Sequence, residues 1–212
     1  NRPGGGGISG AVSVKNAAPN GYTLYVGHVG ALSINLHMQQ NLGYDPVRDF
    51  APVSLVALTP YVITVNANVP ARTLGELIAL AKAKPDTLNF GSSGNGTTPH
   101  LAGELFNTMA GIKIGHVPYK GSAPMVNDLL GGTVLFGFTQ LATALPHIQS
   151  GRLVALATTG PSRIDTLPQT RTLAEQGLGE LTTTAWFGIV APKGTPVAVQ
   201  EALAQAHKAA VQ

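Results

Sequence analysis

Cysteine is absent from the 212 residues, which removes disulfides, thiolate metal ligands and a cysteine nucleophile together. Charge is sparse: only 11% of the residues are Asp, Glu, Lys or Arg, 13 basic against 10 acidic, and the net +3 is dispersed without a run of Lys or Arg. Aromatic side chains make up 6%. With no cationic stripe and no aromatic platform, neither the backbone nor the bases of a nucleic acid find a partner surface, so no nucleic-acid partner is expected. No apolar run reaches the roughly 18 residues that cross a bilayer and no secretory leader is visible, so the expectation is a soluble chain. The sequence opens at Asn1-Arg2-Pro3-Gly4 without Met, as if entered inside a domain.

Apolar residues are plentiful at 44%, enough for a packed core and too many for a disordered segment. Periodicity alternates strand-like and helix-like segments. Helices are expected at 8–18, 31–40, 73–83, 101–110, 123–130, 142–149 and 197–211, and strands at 22–27, 87–90, 133–139 and 153–158. Two separate apolar runs stand at 51–57 and 61–66 and a third at 112–118. Thr73 with Glu76 three residues on has capping-box spacing. The alternation predicts an α/β fold with a mainly parallel sheet.

The most informative stretch is Phe90-Gly91-Ser92-Ser93-Gly94-Asn95-Gly96-Thr97-Thr98-Pro99-His100-Leu101. A glycine- and hydroxyl-rich turn between strand and helix lays backbone N–H groups at a helix N-terminus, where an anion is held without a basic side chain. Thr98 as N-cap, Pro99 at the first helical position and the lack of Lys or Arg from 91 to 101 fit that geometry. The same pattern also serves as a plain tight turn. In α/β sheets, ligands sit where strands lead into helices. That rule selects 27–33, 91–100 and 139–143, all three small, polar or hydroxylated.

Catalytic patterns are weak. Gly5-Gly6-Gly7-Ile8-Ser9-Gly10 matches a dinucleotide fingerprint literally, but no strand precedes it and no acidic residue occurs before Asp45, so it reads as a loop. Gly91-Ser92-Ser93-Gly94-Asn95 misses the nucleophile-elbow spacing at its last position. A triad of Ser93, His100 and Asp128 competes with a packed or capping role for His100. The histidines at 28, 37, 100, 116, 147 and 207 include no pair at i, i+4 and no adjacent carboxylate pair accompanies them. No catalytic residue, metal site or cofactor is expected.

A series of short motifs carries a family resemblance: Asn1-Arg2-Pro3-Gly4, Asn20-Gly21-Tyr22-Thr23-Leu24, Tyr44-Asp45-Pro46-Val47-Arg48-Asp49-Phe50-Ala51-Pro52-Val53-Ser54, Gly91-Ser92-Ser93-Gly94-Asn95-Gly96-Thr97, His116-Val117-Pro118-Tyr119-Lys120-Gly121 and Trp186-Phe187-Gly188. In this order they resemble the Bug family, the solute-binding receptors of tripartite tricarboxylate transporters, along the whole chain. The resemblance implies a periplasmic, monomeric, non-enzymatic receptor with a two-domain type II periplasmic binding protein (Venus-flytrap) fold. Its domains would be 1–61 plus 184–212, and 62–183, closing on a small carboxylate for delivery to membrane components of the transporter. Family members run longer at both ends, so the resemblance also implies a chain incomplete at its N- and C-termini.

Carried over by position, Ser92, Ser93, Gly96 and Thr97 would anchor one carboxylate. Val29, Gly30 and Ser33 would line the lip of the first domain, and Thr184 and Phe187 would approach from the second hinge. Where the family often has an aspartate before the helix of Leu145-Pro146-His147-Ile148, this chain has Gln140. A neutral amide there favours a non-amino di- or aromatic carboxylate. His28 stands where a small hydroxyl residue is common and would cap the distal end of a longer acid. Turnover of small carboxylic esters would instead mark a serine-type hydrolase, and a fused regulatory segment would mark a stand-alone sensory module.

Overall fold

The computed structural model describes residues 5–85 and 87–211; the Asn1-Arg2-Pro3-Gly4 motif lies outside the described residues. The chain divides into two compact units, Asn1–Leu58 with Trp186–Gln212, and Thr59–Ala185.

In the first unit, α1 (Ile8–Lys15) is followed by β1 (Tyr25–His28), then by a π turn (Gly30–Ile34) that runs into α2 (Asn35–Met38). The sheet is formed by β1, β7 (Thr184–Pro192) and the first part of β2 (Phe50–Asn66), and α7 (Val197–Ala210) closes the chain. β1 and β7 are antiparallel, with Gly27 opposite Gly188 and His28 opposite Phe187. Ala11, Val14, Tyr25, Ala31, Leu42, Tyr44, Phe50 and Val190 make the core of this unit. Tyr25 and Tyr44 pack on Phe50 with ring centroids 6.2 and 5.8 Å apart. Burial drives both phenols above their ordinary range, Tyr44 to about 12. Lys15 joins α1 to Asp49 through a 2.9 Å ion pair.

The second unit begins within β2. It continues through α3 (Leu74–Ala83), β3 (Asn89–Ser92), α4 (Thr98–Ala110), β4 (Gly115–Pro118), α5 (Ser122–Gly131), β5 (Phe136–Gln140), α6 (Leu141–Gln149) and β6 (Leu153–Thr158). Its sheet has the order β6-β2-β5-β3-β4. Residues Tyr61 to Asn66 of β2 are all buried, and the strand is flanked on both edges by β5 and β6. Thr73 caps α3 through the Glu76 N–H, and Glu76 returns the bond to the Thr73 backbone, a complete capping box. α4 ends at Gly111, whose φ of 61° is left-handed, an inexpensive conformation for glycine.

Two expectations are corrected. The sheet is mixed: β3 pairs in parallel with β4 and β5, while β2 runs antiparallel to both β5 and β6. The apolar runs at 51–57 and 61–66 form one strand of 17 residues. Pro60 sits inside it, where the lost N–H would have broken a ladder in an ordinary sheet centre. Thr59 and Pro60 are only half-buried, at the point where the strand passes from one unit to the other.

Candidate functional site

The turn after β3 is folded by its own hydroxyls. Ser92, wholly buried, accepts the Gly94 N–H at 3.1 Å, bonds the Gly94 carbonyl at 3.2 Å and meets His116 Nε2 at 2.6 Å. Thr97 donates its hydroxyl to the Gly94 carbonyl at 2.6 Å. Gly94 and Gly96 take φ values of 135° and 71°, and a Cβ on Gly94 would stand 3.2 Å from the Tyr119 carbonyl. The ladder with β4 extends into the loop through Tyr119 N–H to Ser92 O (3.0 Å) and Gly121 N–H to Ser93 O (3.2 Å).

The N-cap of α4 is Thr97, not Thr98. Thr97 has extended backbone (φ −92°, ψ 159°), whereas Thr98 already lies in the helix, and Pro99 is therefore the second helical residue. Neither threonine caps with its side chain. Among the described residues, the N–H groups of Ser93, Thr98 and His100 meet no acceptor, nor does the Ser93 hydroxyl. The Thr98 hydroxyl is buried and makes no hydrogen bond of good geometry, although the Tyr61 hydroxyl is close enough to feel it. Orphan donors at the start of a 13-residue helix carry the positive end of its dipole, the local chemistry of an anion seat.

Tyr61, buried at the β2 position opposite Gln140, has its hydroxyl raised by burial, against which the Thr98 and Gln140 side chains lower it. Tyr61, Thr98 and Gln140 thus form a hydroxyl and amide cluster beside the turn. Sequence reasoning selected Gln140 and missed Tyr61, whose only signal was its place in an apolar run. Burial and the nearby His100 hold His116 down to about 4. Its ring lies between Phe90 (centroids 4.8 Å) and His100 (4.2 Å). His100 Nδ1 receives the Gly96 N–H at 3.3 Å, a capping role.

The structure brings Ser92, Ser93, Gly96 and Thr97 together, but with unequal chemistry. The hydroxyls of Ser92 and Thr97 are consumed in folding the turn, so neither is free to donate to a solute. Ser93 and the backbone remain. Gln140 ends β5, and Thr184 begins β7, both half-buried in the second unit. His28, Val29, Gly30, Ser33 and Phe187 belong to the first unit. His28 departs from its expected role. Its Nδ1 accepts the Gly30 N–H at 3.1 Å and burial lowers its pKa, with the Gly6 backbone on its other side opposing that shift. A Cβ on Gly7 would stand 2.8 Å from His28 Nε2 and 2.7 Å from the Tyr25 hydroxyl. His28 therefore packs the Gly5–Gly7 turn against β1 as a neutral imidazole, and is not a free cap for an acid.

A serine and a histidine do meet, at Ser92 and His116, but a hydrolase needs more. Ser92 has no exposed surface, and Asp128 is engaged by the Tyr119 hydroxyl at 2.7 Å instead of orienting a histidine. Metal-ligand atoms of His100, Glu104 and His116 come within 4.8 Å of one another. The sequence signal for this is the i, i+4 spacing of His100 and Glu104, a histidine–carboxylate pair and not a histidine pair. No helix among the described residues is long and apolar enough to cross a membrane.

Residues 1–212 match the family described as "Tripartite tricarboxylate transporter family receptor". The chain is 38% identical to Protein BugT of Bordetella pertussis over 196 residues, covering 92% of this chain and 60% of that protein. Among solved structures it superposes on Rhodopseudomonas palustris Rpa4515 with adipate (TM-score 0.96, 37% identity, 99% of this chain and 70% of that one). It also superposes on MatC from the same organism with bound malate (TM-score 0.92, 30% identity, 99% and 71%). The chain spans about three fifths of the length of the curated relatives it matches, for example 61% of a protein of Agrobacterium vitis. The fold is that of periplasmic binding proteins.

Proposed function

Given that the chain belongs to the tripartite tricarboxylate transporter receptor family, we propose that it is a periplasmic receptor that captures a small non-amino carboxylate and hands it to the membrane components of such a transporter. The carrying observation is the α4 N-terminus. The unpaired amides of Thr98 and His100, the Ser93 amide and hydroxyl, and the buried unpaired Thr98 hydroxyl form a neutral donor set with no Lys or Arg from 91 to 101. Charge-assisted bonds from such donors contribute about 1.5–3 kcal/mol each, and micromolar binding requires about 8 kcal/mol in total. One carboxylate on this turn, with a second polar contact elsewhere, reaches that range.

Tyr61 and Gln140 offer a hydroxyl and an amide where an amino acid ligand would need an anionic partner. Adipate and malate, the ligands of the two neighbours, are non-amino dicarboxylates, and this class is the proposed substrate. Val29, Gly30, Ser33, Thr184 and Phe187 are proposed to complete the ligand shell. The protein needs no cofactor and performs no chemistry, because receptor function requires only that the ligand favour one conformation over another.

Calorimetry against adipate, malate, citrate and glutamate tests the proposal. A dicarboxylate should bind with micromolar affinity and glutamate at least tenfold more weakly. Gly96→Val should abolish binding, since Gly96 holds a φ of 71° beside the donor amides. Lys120→Ala, at an exposed residue, should change affinity less than threefold. A large loss in Lys120→Ala with normal binding in Gly96→Val would refute the amide anchor, and hydrolysis of a carboxylate ester lost in Ser93→Ala would refute the receptor.

A further inference from the structure

We propose that His100, Glu104 and His116 form a binding site for a divalent transition metal, independent of the carboxylate reading. His100 and Glu104 project from one face of α4, one turn apart, and His116 lies on β4 in register with Phe90 of the neighbouring β3. One donor atom from each lies within 4.8 Å of the other two. Bonds of about 2.0–2.2 Å to a shared ion bring such donors slightly closer, a movement that side-chain rotation supplies.

The hydrogen bonds prepare His116 as a ligand. Ser92 donates its hydroxyl hydrogen to the Gly94 carbonyl and accepts the Gly94 N–H, so its remaining lone pair takes the His116 Nε2–H at 2.6 Å. That assignment leaves a lone pair on Nδ1. The buried Ser92 therefore does for His116 what outer-shell partners do in metal centres, fixing tautomer and ring plane. Stacking on Phe90 holds the ring further.

His100 is the adjustable member. Its ring now stacks on His116 at an interplanar angle of 25°, with lone pairs in nearly parallel planes. Convergence requires it to turn, and the contact given up is the long 3.3 Å bond from Gly96. Glu104 is exposed and makes no ion pair among the described residues, so its carboxylate is available. Two imidazoles and one carboxylate, with water on the open side, suit zinc, copper, nickel or cobalt. Magnesium or calcium would require more oxygen ligands.

The test is titration of the metal-stripped protein with zinc, cobalt, nickel and copper salts. One zinc per chain is expected, with a dissociation constant below about 100 μM, and copper should bind tightest of the four. Glu104→Gln, at an exposed position, and His100→Gln should each weaken zinc by about tenfold or more, whereas His147→Gln should leave it unchanged. The copper form should show hyperfine coupling to two imidazole nitrogens. Absence of stoichiometric binding at 1 mM zinc (about ten times the expected ceiling), or zinc affinity in Glu104→Gln and His100→Gln unchanged from the parent protein, would overturn the site. Neither outcome depends on a carboxylate binding to the turn.

Discussion

Gly103→Ala sets two effects of opposite sign against each other at the helix that carries the candidate site. In the interior of α4, alanine is favoured over glycine by about 1 kcal/mol through helix propensity. The structure opposes this. A Cβ at Gly103 would stand 2.2 Å from Phe90 Cε2 and 2.4 Å from Cζ. Phe90 is fully buried and is held by His116 on one side and Phe136, 5.8 Å away, on the other. Reaching ordinary contact at 3.4 Å requires the ring or the helix to move by the difference, 3.4 − 2.2 = 1.2 Å. Overpacking of a rigid core costs about 1–3 kcal/mol, with this contact at the upper end. The net expectation is a loss of about 1–2 kcal/mol, or about 2–8 °C in Tm for a chain of this size. Urea unfolding followed by circular dichroism measures it. Gly75→Ala in α3 is the control, because a Cβ there meets nothing within 4 Å; it should be neutral or stabilising by up to about 1 kcal/mol. A Gly103→Ala protein as stable as its parent, with Gly75→Ala behaving as stated, would refute the claim that α4 is seated on Phe90 by the lack of a side chain.

Thr73→Ala removes one half of the capping box on α3 and should cost about 1 kcal/mol in urea unfolding. Ser92→Ala strips the buried partner from both the Gly94 N–H and His116 Nε2 and should cost about 2–3 kcal/mol, whereas Ser93→Ala should change stability by less than about 0.5 kcal/mol. Stability should also fall with acid. His28 and His116 have folded pKa values below the unfolded value of 6.5, His116 at about 4, so the unfolded chain binds more protons between these limits. Both contributions are complete above pH 6.5 and are lost in acid below it, that of His116 as pH falls towards 4. After allowance for solvent screening, His116 accounts for about 1–2 kcal/mol of that loss. A Tm that is flat from pH 7 to 4.5, or an equally steep fall in His116→Gln, would contradict this.

Features determined by neighbours in sequence were legible from the sequence alone. The capping box at Thr73 and Glu76, the strand at Leu153–Thr158 and the helix starting near Pro99 depend on hydrogen bonds and periodicities spanning a few residues. The serine- and glycine-rich turn announced a helix N-terminus with free amides for the same reason. Tertiary structure decided the rest. Pro52 and Pro60 argue locally for a break, yet residues 50–66 form one strand, because β2 pairs with β7 as well as with β5 and β6, all of them 70 or more positions along the chain. No local rule distinguished Ser92 from Ser93. The difference comes from His116, 24 residues on, which the parallel β3–β4 register brings to the Ser92 hydroxyl and leaves Ser93 unoccupied. The same register sets His116 beside His100 and Glu104. A side chain's role follows from what it meets, and meetings between distant segments depend on sheet order, which propensity and spacing do not encode.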